Sequence, residues 1–366
     1  MSGESIHYDQ MVQYQEALDP FTDAAIRTFA PTVENSGPTG VRLMVESVGE
    51  TAQVYEIDGA PFYIAKNVEI LGTKVDVAVA MAREDPANRG RYFLGIGQDT
   101  ANMSLNDLVG VGAQPFSYSP IISLGDNEMI KDSMVVDALL QGYLQAANDA
   151  RAVIAGGETG TVMGVVQPGQ ADLAGGSVGL IAPKERLCHA GRVEAGLVLF
   201  GLATHSPHAN GFTAIRKIGE SLPRGYFTEM PSGQTFGEAV LAPTPSYSPI
   251  VNGLLGEGID VRYLQPITGH GFWKMARSKA DLTYRITHLP EMPEVFTFIQ
   301  EHAKIDDKEM VTTYNCGVGF VVYAPADQEA GLMRVAESLG VTAFKMGQVE
   351  EGPRQVVVEQ LSVTLP

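Results

Sequence analysis

The strongest constraint on how this chain folds is an apolar run, Leu197-Val198-Leu199-Phe200-Gly201-Leu202. It opens into Thr204-His205-Ser206-Pro207-His208-Ala209-Asn210-Gly211-Phe212 and then Thr213-Ala214-Ile215-Arg216-Lys217. The run reads as a strand, and the small, polar and Gly/Pro residues after it end that strand before a helical start. Such a junction can aim backbone N–H groups and side-chain donors at an anion, which is how a phosphate site is built. An ordinary loop before a helix has the same local signature.

The 366 residues suggest about two domains, each large enough to bury a core. Residues 8–32 carry helical apolar spacing, and residues 41–64 hold short β-like runs broken by Gly49, Gly59 and Pro61. Residues 129–150 predict an amphipathic helix on Ile130, Met134, Val135, Ala138, Leu139, Tyr143 and Ala146. It leads into the apolar run 152–155 and then Gly156-Gly157-Glu158-Thr159. A strand is expected at 177–182, and the polar Pro183-Lys184-Glu185-Arg186 after it marks the boundary, giving domains 1–183 and 184–366. The second half predicts strands at 197–202 and 318–323 and helices at 293–304 and 328–339. Strands and helices are mixed rather than strictly alternating, so both halves read as α+β.

With 45% hydrophobic and 19% charged residues, the composition is that of a soluble globular protein. A net charge of −18 repels nucleic-acid phosphates and argues against such a partner, while a local cluster of donors or a bound cation still permits a small phosphorylated ligand. No apolar run approaches a membrane span and the first residues lack a signal-peptide pattern, so the expectation is cytoplasmic with no membrane partner. Cys188 and Cys316 have no zinc-site spacing and read as reduced packing residues.

Asp99 with Asn106 and Asp107 can face one side of a helix and share a hard cation; solvated acids on a helix are the alternative. The segment around them, Gly97-Gln98-Asp99-Thr100-Ala101-Asn102-Met103-Ser104-Leu105-Asn106-Asp107-Leu108, resembles Gly-Ile-Asp-Leu-Val-Ala-Met-Cys-Val-Asn-Asp-Leu of the aminoimidazole ribonucleotide synthetase (phosphoribosylformylglycinamidine cyclo-ligase) family. Pro207, His208, Asn210, Gly211, Arg216 and Lys217 match that family's strand-to-helix loop. Gly72-Thr73-Lys74, Gly156-Gly157-Glu158-Thr159 and Thr268-Gly269-His270-Gly271-Phe272-Trp273 resemble three more of its motifs, in the same order along the chain. The sequence departs from the family at Glu69, where it has Asp, at Ile70 and His270, where it has Gly, and at Pro266, where it often has His.

The resemblance implies two α+β domains, each a mixed sheet with packed helices, usually paired as a homodimer. It implies ATP-dependent ring closure of formylglycinamidine ribonucleotide, a small phosphorylated substrate, with ATP and Mg2+ as cofactors. It places Glu69, Asp99, Asn106 and Asp107 at the metal and Lys74, Gly156, Gly157, Glu158 and Thr159 at the nucleotide. Asn210, Gly211, Thr268, Gly269 and Gly271 fall at the substrate. His208 and His270 are the candidate proton-transfer groups, each reading equally as an ordinary loop histidine. The departures leave open a paralogous ATP-dependent enzyme with another substrate, or a non-catalytic nucleotide-binding protein.

Overall fold

A computed structural model describes residues 19–366. Of the segment expected to be helical at 8–32, residues 8–18 lie outside the described residues, and α1 (Asp19–Phe29) occupies most of the rest.

The first sheet contains β1 (Val41–Leu43), β2 (Gln53–Ile57), β3 (Tyr63–Ile70), β4 (Gln114–Leu124), β5 (Glu158–Thr161) and β6 (Ala171–Ile181), in the order β1-β2-β3-β6-β4-β5. Its pairs are antiparallel except β4 with β5. Besides α1 and a single helical turn at Glu128–Lys131, this half holds α2 (Lys74–Glu84), α3 (Arg91–Gly110) and α4 (Ser133–Ala150). The helix expected over 129–150 is interrupted at Asp132, whose carboxylate caps α4 by accepting from the Met134 N–H at 3.1 Å. The expected run 152–155 contributes only one isolated bridge, Val153 with Ser117.

The second sheet holds β7 (Val198–Ala203), β8 (Tyr263–Pro266), β9 (Leu282–Ile286), β10 (Val318–Ala324), β11 (Ala343–Glu351), β12 (Gln355–Val358) and β13 (Val363–Leu365). Their order is β13-β12-β9-β11-β7-β10-β8, antiparallel but for β12 with β9. Helices α5 (Phe212–Ser221), α6 (Phe236–Leu241), α7 (Ser248–Gly256), α8 (Glu294–Ala303), α9 (Asp307–Thr313) and α10 (Glu329–Ser338) complete this half. Every residue of β7 but the last is buried, and all of β10 is, because these central strands are covered on both faces. The fold is thus two domains, each a mixed sheet with packed helices.

One apolar cluster runs across both halves, joining Val75, Met81 and Phe93 to Phe212, Phe236 and Tyr284. The approach there is close enough that a Cβ on Gly237 would lie 2.2 Å from the Met81 sulfur. Among the described residues, no helix is long and apolar enough to cross a membrane.

Candidate functional site at the domain seam

Helix α3 presents two polar faces to the second half, with opposite fates. Along one, Asp99, Asn102 and Asn106 recur at helical spacing and grip the extended segment 242–247. Asp99 accepts from the Thr244 backbone N–H at 2.7 Å and from its hydroxyl. Asn102 donates to the Thr244 carbonyl, while Asn106 donates to the Pro245 carbonyl and accepts from the Tyr247 N–H at 2.8 Å. The other Asp99 oxygen pairs with Lys74 Nζ at 2.7 Å, and neither side chain is exposed. Lys74 spends its remaining two protons on the His208 and Ala242 carbonyls, each at 2.9 Å. Burial pulls both members of the pair toward their neutral forms, and their mutual attraction opposes it.

This arrangement revises several sequence expectations. Lys74 has no proton left for a nucleotide phosphate, and Asp99 and Asn106 have their oxygens committed to protein donors rather than to a cation. His208 is 1% exposed, with Nε2 3.1 Å from the Thr204 hydroxyl. Burial pushes its imidazole down to about 3, with Lys74 adding to the effect, so it is neutral and walled off from proton transfer. Arg216 pairs with Asp76 at 3.0 Å, tying α5 to α2.

Around the helix from Asp99, Asp107 and Met103 face a cavity of about 440 Å3 between the halves. Its wall also includes Glu69 and Thr73 from the first half, and Asn210, Gly211, Thr268, Gly269, His270, Lys274 and Thr313 from the second. Glu69, at the end of β3, stands beside Asp107. Burial and this second carboxylate push the Asp107 carboxyl up to about 8, while Lys274 and Arg277 pull it the other way. Burial lowers the Lys274 ammonium, opposed by Asp107. The Lys274 ammonium donates to the Thr268 hydroxyl, and Arg277 donates to the Gly49 carbonyl. Among the described residues no cluster of three or more His, Cys, Asp or Glu forms a ready metal cage, so the acids available to a cation here are Glu69 and Asp107.

Two loops complete the wall, and α9 with the residue after it sets both. Gly211 has φ +72°, and a Cβ there would sit 2.2 Å from the Tyr314 ring, whose hydroxyl donates to the Gly211 carbonyl at 3.2 Å. Gly271 has φ +53°, and its Cβ would lie 2.1 Å from the Val311 carbonyl oxygen. Gly271 is therefore a spacer rather than part of the cavity wall. His270 holds φ +71°, a backbone strain of about 1–3 kcal/mol for a residue with a side chain. Two polar atoms in this wall are buried without a partner, Asn210 Nδ2 and Thr313 Oγ1.

Gly156, Gly157, Glu158 and Thr159 are exposed and do not line the cavity. Registers place Glu69 opposite Gly175 and Gly175 opposite Pro120, whose carbonyl lies against Gly157, the residue before the edge strand β5. Three strand spacings, about 14 Å, separate Glu69 from that corner. The sequence reading missed Lys274, Arg277, Thr312 and Thr313. The signal for Lys274 was a basic residue three positions after a glycine-flanked loop; Thr312 and Thr313 carry no sequence signal at all.

Fold and cavity together define a two-domain α+β protein with a polar, charge-rich cleft at the seam of its halves. Residues 49–181 match the family model described as AIR synthase related protein, N-terminal domain, and residues 194–360 match the corresponding C-terminal domain. The chain is 30% identical over 344 residues to a phosphoribosylformylglycinamidine cyclo-ligase of Clostridium acetobutylicum, an alignment covering 92% of this chain and 93% of that protein. It therefore belongs to the AIR synthase family. A human relative, the trifunctional purine biosynthetic protein adenosine-3, is 28% identical over 92% of this chain, which spans about a third (33%) of that protein. Among solved structures, a thiamine-monophosphate kinase from Stenotrophomonas maltophilia shares the fold at TM-score 0.59 and 17% identity, covering 88% of this chain and 92% of its own. The hydrogenase maturation protein HypE of E. coli does so at 0.57 and 16%, covering 84% and 87%.

Proposed function

We propose that this protein catalyses the ATP-dependent closure of formylglycinamidine ribonucleotide to aminoimidazole ribonucleotide, as a cytoplasmic enzyme of purine biosynthesis. The observation that carries this reading is convergence: the segments around Glu69, Asp107, Asn210 and Thr268, far apart in sequence, meet at one cavity. Near full-length similarity to a cyclo-ligase supports the substrate.

In this reading the two carboxylates, Glu69 and Asp107, fit a hard cation and would hold Mg2+; Asp99 and Asn106 do not fit it, being committed to protein partners. ATP, when bound, supplies the phosphoryl group that activates the amide oxygen for displacement by an internal nitrogen. The chain's own part is positioning and charge. Lys274 and Arg277 bring positive charge to a site of developing negative charge, and the Asn210 amide and Thr313 hydroxyl are placed to bond the substrate's ribose phosphate. His270 is the imidazole in the cavity wall, and we assign proton transfer to it rather than to His208. The exposed corner at Gly156–Glu158 would serve a more distant part of the nucleotide.

The domain division proposed is 1–183, for ATP, metal and dimer contact, and 184–366, for substrate. Val68, Ile70, Phe116 and Ile121 are exposed on the first sheet, and these apolar side chains support pairing of two copies. Light scattering should report a dimer that Ile70→Asp dissociates; a monomeric unmodified protein would remove the pairing.

The departures at Ile70, Pro266 and His270 favour a second reading, a paralogue acting on another substrate. ADP release with and without formylglycinamidine ribonucleotide, at saturating Mg2+ and ATP, separates them. The cyclo-ligase reading requires substrate-dependent ADP and an imidazole product, and it fails if the substrate stimulates no release.

A further inference from the structure

A second cavity, about 880 Å3, shares none of its wall residues with the one just described. It sits between the C-terminal end of α4 and the helices α7 and α10, so that both halves contribute to it. Its size is that of a pocket for a small metabolite.

Two arginines line it, Arg151 and Arg334. Cations on this chain are scarce, 25 against 43 acids, and about half of the arginines are spent in ion pairs. Arg151 and Arg334 have no ion-pair partner within 4.0 Å among the described residues. The same wall carries Asp149 and Glu257, and the two arginines, not neutralised by an ion pair with either, offer an anion planar forks that bind through paired N–H donors.

A second, independent observation comes from the floor. Ser248, in the first turn of α7, is 1% exposed, and its hydroxyl has no hydrogen-bond partner although it lines the cavity. A buried hydroxyl left unpaired costs about 1–3 kcal/mol, and a ligand group at this wall relieves that cost. Asn148, Asn252 and Asp149 add side chains that can bond hydroxyl groups, and burial raises the Asp149 carboxyl.

We infer that this cavity binds a phosphorylated, hydroxyl-bearing metabolite of the sugar-phosphate class, its phosphate on Arg151 and Arg334 and its hydroxyls on Ser248, Asn148 and Asp149. No group of the proposed reaction site lines it, so the bound molecule is an effector rather than the substrate. Ser248 follows Tyr247, whose N–H is held by Asn106, the neighbour of Asp107. The site is thus one residue's reach from the helix that carries the reaction-site acid.

The test is calorimetric titration of the full chain with ribose 5-phosphate and, separately, inorganic phosphate. Arg151 and Arg334 are both exposed, so the double variant Arg151→Glu/Arg334→Glu keeps the fold, which a thermal melt confirms. Ribose 5-phosphate should bind the unmodified protein, bind more tightly than phosphate, and lose at least about tenfold in affinity in the double variant. Lys274→Met, in the other cavity, should leave that binding in place. The inference is overturned if ribose 5-phosphate does not bind, if the folded double variant binds it unchanged, or if Lys274→Met alone abolishes binding.

Discussion

Helix α3 carries two carboxylates, Asp99 and Asp107, and the difference between their surroundings explains how this seam divides its labour. Asp99 is sealed: one oxygen on Lys74, the other on Thr244, with nothing left to offer a ligand. Asp107 opens on a cavity with Glu69 beside it and two cations nearby that do not saturate it. The first arrangement fastens the halves together, and the second holds unspent charge. A polar residue in such a seam serves the fold when its bonds are complete and chemistry when they are not.

The largest effect that would sharpen this contrast is on stability. Lys74→Met leaves the Asp99 carboxylate buried without its partner, and the expected loss is about 3–5 kcal/mol in a denaturant melt. A loss below about 1 kcal/mol would mean that the pair does not fasten the seam.

The pH dependence of stability should single out the open side. The Asp107 carboxyl in the folded chain, at about 8, lies above its unfolded value of about 3.9. Its contribution is therefore complete below about pH 4 and is lost as pH rises through about 8. The melting temperature of the unmodified protein should fall relative to that of Asp107→Asn between pH 5 and 8. Mg2+ should restore it more at pH 8 than at pH 6, because the ion needs ionised carboxylates. Parallel profiles for the two proteins would take Asp107 out of this account.

A smaller effect is expected in the loop wall. Asn210→Leu should raise KM for the substrate by about tenfold with ATP binding nearly unchanged, the loss of one well-placed hydrogen bond. Equal loss of both affinities would signal misfolding instead. The smallest is at His208, where His208→Gln should cost roughly 1 kcal/mol of stability yet leave the pH profile of kcat in place. A shifted profile would return His208 to proton transfer.

Much of the second half was legible because its elements are continuous apolar or periodic runs: 197–202 became β7, 318–323 became β10, and 293–304 and 328–339 became helices within a residue or two. The first sheet was harder. Strand β4 contains Pro115 and Pro120, which argue against a strand, and the chain accommodates Pro115 at a break in register between Pro115 and Ser117. Strand β5 begins just after two glycines and reads as a turn. At the site, helical geometry held more information than was drawn from it: from Asp99, Asn106 is rotated by only about 20° while Asp107 is rotated by about 80°. Asn106 therefore follows Asp99 into the seam, and Asp107 turns toward the cavity. Spacing could not reveal that Lys74, 25 positions before Asp99 in sequence, would consume its charge, because that pairing depends on how α2 packs on α3.

The most direct test of the division between seam and cleft is substrate-dependent ADP release per folded molecule in Asp99→Asn and Asp107→Asn, measured side by side. Asp99→Asn should melt earlier yet keep most of its turnover at a temperature where it is folded, while Asp107→Asn should stay folded and lose about a hundredfold or more, roughly 3 kcal/mol of transition-state stabilisation. A folded Asp99→Asn as inactive as Asp107→Asn would place Asp99 in the reaction site and contradict the account.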